Sequence, residues 1–131
     1  MDKKVEFDFM WKDRVCSHII AYANRDVVDC IDYTEDVIQQ AFGKRPHTKE
    51  YLLAFFEERC FERGRIDKEI LLRKMGLTDY NPYEIVLRTQ GRLLCDASWV
   101  RFTEETLRQE KDYENIKRLN REFKKLEERW L

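Results

Sequence analysis

Cysteine and histidine are the side chains in this sequence best suited to hold a metal. Cys16 and His18 lie two apart in a stretch that reads as a strand, so both point to one face. Cys30 on a neighbouring strand, with Cys60 or Cys95 from elsewhere, would complete a tetrahedral zinc site. None of these cysteines forms a Cys-x-x-Cys pair, the usual spacing of a structural zinc site, and a buried free cysteine is an ordinary small hydrophobe. Zinc is thus the one cofactor with ligands on offer, and none is expected to be required. His47, beside Pro46, reads as a surface loop residue.

Catalytic arrangements are weaker still. Ser17 and His18 are adjacent, so on a strand they face opposite sides and cannot act as nucleophile and base. The glycines, Gly43, Gly64, Gly76 and Gly91, are isolated and build no phosphate-cradling loop. Acid pairs such as Asp29 and Asp32, or Glu57 and Glu58, sit in charge-rich sequence where solvation accounts for them. The expectation is a protein that is not an enzyme.

Arginine is the better lead. Arg59, Arg63 and Arg65 cluster in the string RCFERGR, and Arg88, Arg92 and Arg101 recur near Asp96, Trp99 and Phe102. Arginine among aromatics suits carboxylate or phosphate binding and interface hot spots. Arg88, Arg92, Asp96, Trp99 and Arg101 are therefore expected to form a partner-binding surface, with Arg59, Arg63 and Arg65 as a second patch. The alternative is internal pairing with Glu57, Glu62, Glu84 or Asp96, and Asp96 could simply orient a turn.

The elements that must position these residues follow from periodicity and punctuation. Val5, Phe7, Phe9 and Trp11 alternate with Glu6, Asp8 and Met10, as in a half-buried strand. Val15 to Tyr22 and Val27 to Tyr33 read as further strands, joined by connections too short for parallel crossovers, so residues 1–33 predict a three-stranded antiparallel meander. Residues 34–102 predict a helical cluster with one short strand. Its helices span Glu35 to Phe42, a segment capped by Thr48, Ile66 to Met75, and 82–90, and the strand covers Ser98 to Phe102. Asn81, Pro82 and Glu84 have the types and spacing of an N-cap, first helical residue and capping-box acid, and Gly91 of a left-handed stop. From Thr103, apolar residues Leu107, Tyr113, Ile116, Leu119, Phe123, Leu126 and Trp130 recur at three- and four-residue spacing after the first gap. Residues 103–131 thus predict one amphipathic helix of about 27 residues and roughly 40 Å, either a strap on the domain or an arm for a homodimer.

At 131 residues the chain is expected to be a single α+β domain able to bury a core without staples. Its 25 basic and 26 acidic residues nearly cancel, against the basic excess of a dedicated nucleic-acid protein. Residues 1–43 carry five basic and nine acidic residues, and residues 44–75 nine and six, an asymmetry able to steer a partner. No apolar run is long enough for a signal peptide or a membrane span, so a cytoplasmic, reducing setting with free thiols is expected.

RCFERGR, then LRKMGL, then DYNPYEIVLRTQGRLLCDASWVRF resemble a pattern in short proteins of Firmicutes genomes and phage mobile elements, and the resemblance covers Phe56 to Phe102. A looser version is similar to a segment accompanying HipA-like kinases. The chain departs from the pattern at Glu62, where proline is usual, and at Ala97-Ser98, and it contains no placeable kinase core. The resemblance implies a small bacterial or phage accessory protein. Its sharpest form is an anti-CRISPR-type inhibitor that binds a Cas nuclease or another host defence protein. The alternatives are a nucleic-acid-binding regulator beside a toxin–antitoxin system and a zinc-stabilised domain.

Overall fold

A computed structural model describes residues 3–130, with side chains through Lys125. Strands β1 (Lys4–Trp11), β2 (Arg14–Tyr22) and β3 (Asp29–Asp32) form the expected antiparallel meander. Helices α1 (Lys49–Glu58), α2 (Lys68–Lys74) and α3 (Pro82–Thr89) follow, then strand β4 (Ser98–Phe102) and helices α4 (Glu104–Arg108) and α5 (Tyr113–Trp130). β4 returns to pair antiparallel with β1, so the sheet has four strands in the order β3-β2-β1-β4 rather than three. A pairing across 87 to 95 residues of chain has no local signature, which is why the strand at Ser98–Phe102 could be read ahead of the structure but its place in the sheet could not.

One face of this sheet makes the core. Phe7, Phe9, Ile19, Ala21, Val100 and Phe102 pack with buried residues from α1 through α5, among them Phe55, Phe56, Ile85, Leu87, Leu107 and Ile116. Phe7 sits at the centre, its ring 5.4 to 5.9 Å from those of Phe55, Phe56 and Phe102. Each such buried aromatic contributes about 1.5–3 kcal/mol of burial free energy. The other face gives nothing to this cluster.

The punctuation holds in part. Asn81 Oδ1 accepts from the Glu84 amide at 3.2 Å and Pro82 opens α3, whereas the Glu84 carboxylate turns to Arg88 instead of reaching back as a capping-box acid. Gln90 joins Gly91 in the left-handed region, with φ of 58° and 61°. Thr103 caps α4 through a bond from the Thr106 amide, but Thr48 ahead of α1 makes no side-chain cap bond. The helix expected over 35–42 is a chain of turns. Thr34 Oγ1 and Asp36 Oδ1 accept from the amides of Asp36 and Ile38, an alternative to helical bonding that short polar side chains offer.

The rod expected over 103–131 is two helices. Between Leu107 and Tyr113 no apolar residue holds the turn to the core, and the Gln109 and Glu110 amides close i→i+3 bonds to Thr106 and Leu107. The chain then restarts at Asp112, whose carboxylate Arg88 grips at 2.9 Å. α5 lies against α3, with Ile116 and Leu119 buried and Phe123 half-buried against the core, so its described part straps onto the domain. The side chains of Leu126 and Trp130 lie outside the described residues.

Candidate functional site

The arginines divide into two kinds. Arg88, wholly buried at 0% exposure, donates to the Met75 carbonyl, to the Glu84 carbonyl and carboxylate, and to Asp112, joining α2, α3 and the start of α5. Arg59 donates to the carbonyls of Gly91 and Ser98 and grips Asp96 with both terminal nitrogens, at 2.8 and 2.9 Å. The Arg59 hydrogen bonds hold the Asp96 carboxyl below the usual range, although partial burial opposes them. Asp96 also accepts from the Ser98 amide, so it orients the turn into β4. A side chain added at Gly91 would approach Arg59 Cβ to 3.1 Å and Val100 Cγ2 to 3.2 Å, so the knot closes tightly around that turn. Arg59 and Arg88 therefore leave the expected binding surface, because they are buried and main-chain carbonyls take their donors, whereas Asp96 stays exposed with its carboxylate committed to Arg59 and the Ser98 amide.

The remaining expected residues are accessible. Arg63 pairs with Glu57 and lies over the Tyr80 ring, and Arg65 pairs with Asp67, both on the exposed surface. Arg92 stacks on Trp99, its guanidinium carbon 4.2 Å from the ring centroid, while Trp99 Nε1 donates to the Lys12 carbonyl. Arg101 is half exposed and pairs with Asp8 at 2.8 Å.

Trp99 and Arg101 stand on the sheet face that the core does not use. Register places Ile31, His18, Asp8 and Arg101 in one row across all four strands, flanked by Ile20 with Glu6 on one side and Met10 with Trp99 on the other. His18 is clamped, with Nδ1 at 2.6 Å from Asp8 and Nε2 at 2.8 Å from Glu6. Ionised carboxylates only accept, so both contacts are satisfied by an imidazole carrying two protons. Desolvation pulls the His18 pKa down, but the hydrogen bonds and charges of Asp8 and Glu6 outweigh it, and the net displacement is upward. Met10, expected on the solvent side, is buried opposite Trp99, while Ile31 and Tyr33 remain exposed at 56% and 61%. The polar parity of β1, Glu6 and Asp8 with Met10, falls on this face. That His18 lies between those two acids is legible only once the register is known.

The sequence-derived zinc set does not converge. Cys16 is buried, Cys95 is exposed, and His18 is taken by its carboxylates. Cys60 is buried, its thiol pushed up to about 12 chiefly by desolvation, and it donates to the Phe56 carbonyl. Cys30 instead meets Asp32 and His47. Desolvation by burial, with help from Asp32, pushes the Cys30 thiol up to about 12 as well. Ser17 Oγ donates to Asp32 on the core side of the sheet while His18 faces the other way, so the two are separated as their adjacency predicted. A cleft of about 330 Å³ between the sheet and α1 is lined mainly by apolar side chains such as Val5, Leu52, Phe56 and Tyr83, with no carboxylate, histidine or thiol on its wall. Among the described residues no helix is long and apolar enough to cross a membrane. Compared with protein-family models, curated proteins and solved structures, the chain matches none.

Proposed function

We propose that this chain is a non-catalytic protein-binding module of the cytoplasm, and that its contact surface is the open sheet face. The observation that carries the reading is the row Ile31, His18, Asp8 and Arg101 beside the Arg92-stacked Trp99, on a face that adds nothing to the protein's own core. Exposed aliphatic and aromatic residues among charge pairs are the composition of a protein–protein interface. Stacking on Arg92 and a bond to the Lys12 carbonyl hold Trp99 in place, so less side-chain entropy is lost when it is covered. The partner that fits is a folded protein with an apolar patch for Ile31 and Tyr33 and an acidic group for Arg101.

Nucleic acid fits less well, because Glu6 and Asp8 occupy the centre of the face and Asp8 already neutralises Arg101. A complex with DNA or RNA that weakens steeply with salt would overturn the protein-binding reading. The decisive comparison uses capture from a bacterial host with wild type, with an Ile31→Asp, Arg101→Glu pair, and with an Arg63→Glu, Arg65→Glu pair. The first pair is expected to lose the partner and the second to keep it; the reverse pattern moves the interface to the Arg63 and Arg65 patch. The sharper version, inhibition of a Cas nuclease of host defence, rests on the resemblance over Phe56 to Phe102. It is tested by adding purified protein to the nuclease and its guide, and undiminished target cleavage at molar excess removes it.

A further inference from the structure

We infer that Cys30, Asp32 and His47 form a binding site for a single zinc-class divalent cation, which clips the 42–48 loop to the edge strand β3. Sγ of Cys30, a carboxylate oxygen of Asp32 and a ring nitrogen of His47 all lie within 4.8 Å of one another. Cys30 Sγ stands 3.6 Å from Asp32 Oδ1. Zinc bonds of about 2.3 Å to sulfur and about 2.1 Å to oxygen, at the tetrahedral angle, put those two ligands about 3.6 Å apart. Two of the three donors therefore already hold the edge of a tetrahedron, and a ring nitrogen of His47 stands within 4.8 Å of both.

The chemistry of the set is selective. Thiolate with imidazole favours zinc and its borderline-soft neighbours, whereas calcium and magnesium take oxygen ligands alone. Three protein ligands leave one position for water or a fourth donor.

Supports around the ligands are in place. Ser17, wholly buried, donates its hydroxyl to Asp32 Oδ1 at 2.6 Å and accepts the Ala41 amide at 3.1 Å, so the carboxylate is aimed by a group that is itself held. Such second partners orient metal ligands, and their loss typically weakens affinity about 10- to 100-fold. The His47 ring packs on Phe42 with centroids 5.0 Å apart. Its backbone is tied to the strand entry, since the His47 carbonyl accepts the Val28 amide at 2.9 Å and Thr48 bridges Val27. Backbone pairing thus brings His47 to β3 from fifteen residues beyond Asp32, without the close cysteine pair that would have marked the site in the sequence.

The test uses full-length protein stripped with chelator and titrated with zinc alone, then with cobalt(II) as a spectroscopic stand-in. One equivalent is expected to bind, with a thiolate-to-cobalt charge-transfer band in the near ultraviolet. That band disappears in Cys30→Ser, zinc affinity falls at least about 10-fold in His47→Gln and Ser17→Ala, and Cys95→Ser and His18→Gln bind like wild type. Absence of stoichiometric binding by wild type overturns the site, as does a thiolate band that survives Cys30→Ser. The wild-type titration decides by itself, so a variant that fails to fold does not shield the inference.

Discussion

Arg88 and Arg101 are thirteen positions apart in one segment, and the molecule uses them in opposite ways. Arg88 and Arg59 spend their donors on main-chain carbonyls from separate segments as well as on carboxylates, and both are buried. Arg101, Arg63 and Arg65 bond to side-chain carboxylates at the surface. A guanidinium bonded to carbonyls of separate segments ties those segments together, so losing the arginine breaks several buried bonds at once. A carboxylate at the surface returns to water at little cost. The acceptor, more than the arginine, separates a folding residue from a binding residue.

That contrast breaks first at its strongest point. Arg88→Met is expected to cost at least about 3 kcal/mol in urea unfolding, because it removes a buried guanidinium that bonds the Met75 and Glu84 carbonyls and both carboxylates. A loss below about 1 kcal/mol would make Arg88 no different from a surface arginine.

Arg59→Met is expected to lose about 2–3 kcal/mol, consistent with several bonds to and from a charged group at a partly open site. Asp96→Asn should cost less and change the acid limb. The folded pKa of Asp96 lies below its ordinary 3.8, so its contribution is full above that value and is lost as pH falls through the folded pKa. Acid titrations of stability for wild type and Asp96→Asn should therefore converge at the lowest pH. Parallel curves would contradict the Arg59 pairing.

The open face supplies a smaller effect of opposite sign. His18 has its folded pKa raised above 6.5, so its contribution is full below 6.5 and is lost as pH rises through the folded pKa. Wild type should lose its advantage over His18→Gln across that upper window, and the His18 ring protons followed by NMR should titrate above 6.5. Titration at or below that value would dissolve the Glu6–His18–Asp8 clamp.

The smallest expected change sharpens the comparison from the other side. Arg101→Gln and Arg63→Gln should each shift stability by no more than about 1 kcal/mol, the ordinary range for exposed ion pairs. A loss near that of Arg88→Met, read from the same urea curves, would place these residues among the folding arginines and remove the open face as a binding surface.

What could be read ahead of the structure tracks how local each cause is. Asn81 and Thr103 cap their helices because the bond runs to an amide three residues on. Thr48 has the same residue type, but its hydroxyl is buried without a partner, because the chain entering α1 is set by pairing with Val27. Phe7, Phe9 and Ile19 were legible as core from alternation, while Met10 was not, since its burial depends on lying opposite Trp99.

The sequence by itself determined the meander, the capped α3 helix, the strand at Ser98–Phe102 and the stripe of Ile116, Leu119 and Phe123, because each rests on bonds or periods within a few residues. Tertiary structure alone decided that β4 lies beside β1, that the last stripe breaks at Asp112, that Arg59 and Arg88 face inward, and that Cys30 and Asp32 meet His47. Those outcomes depend on which distant carbonyl, carboxylate or ring arrives next to a side chain, and that is set by how sheet and helices close around one core.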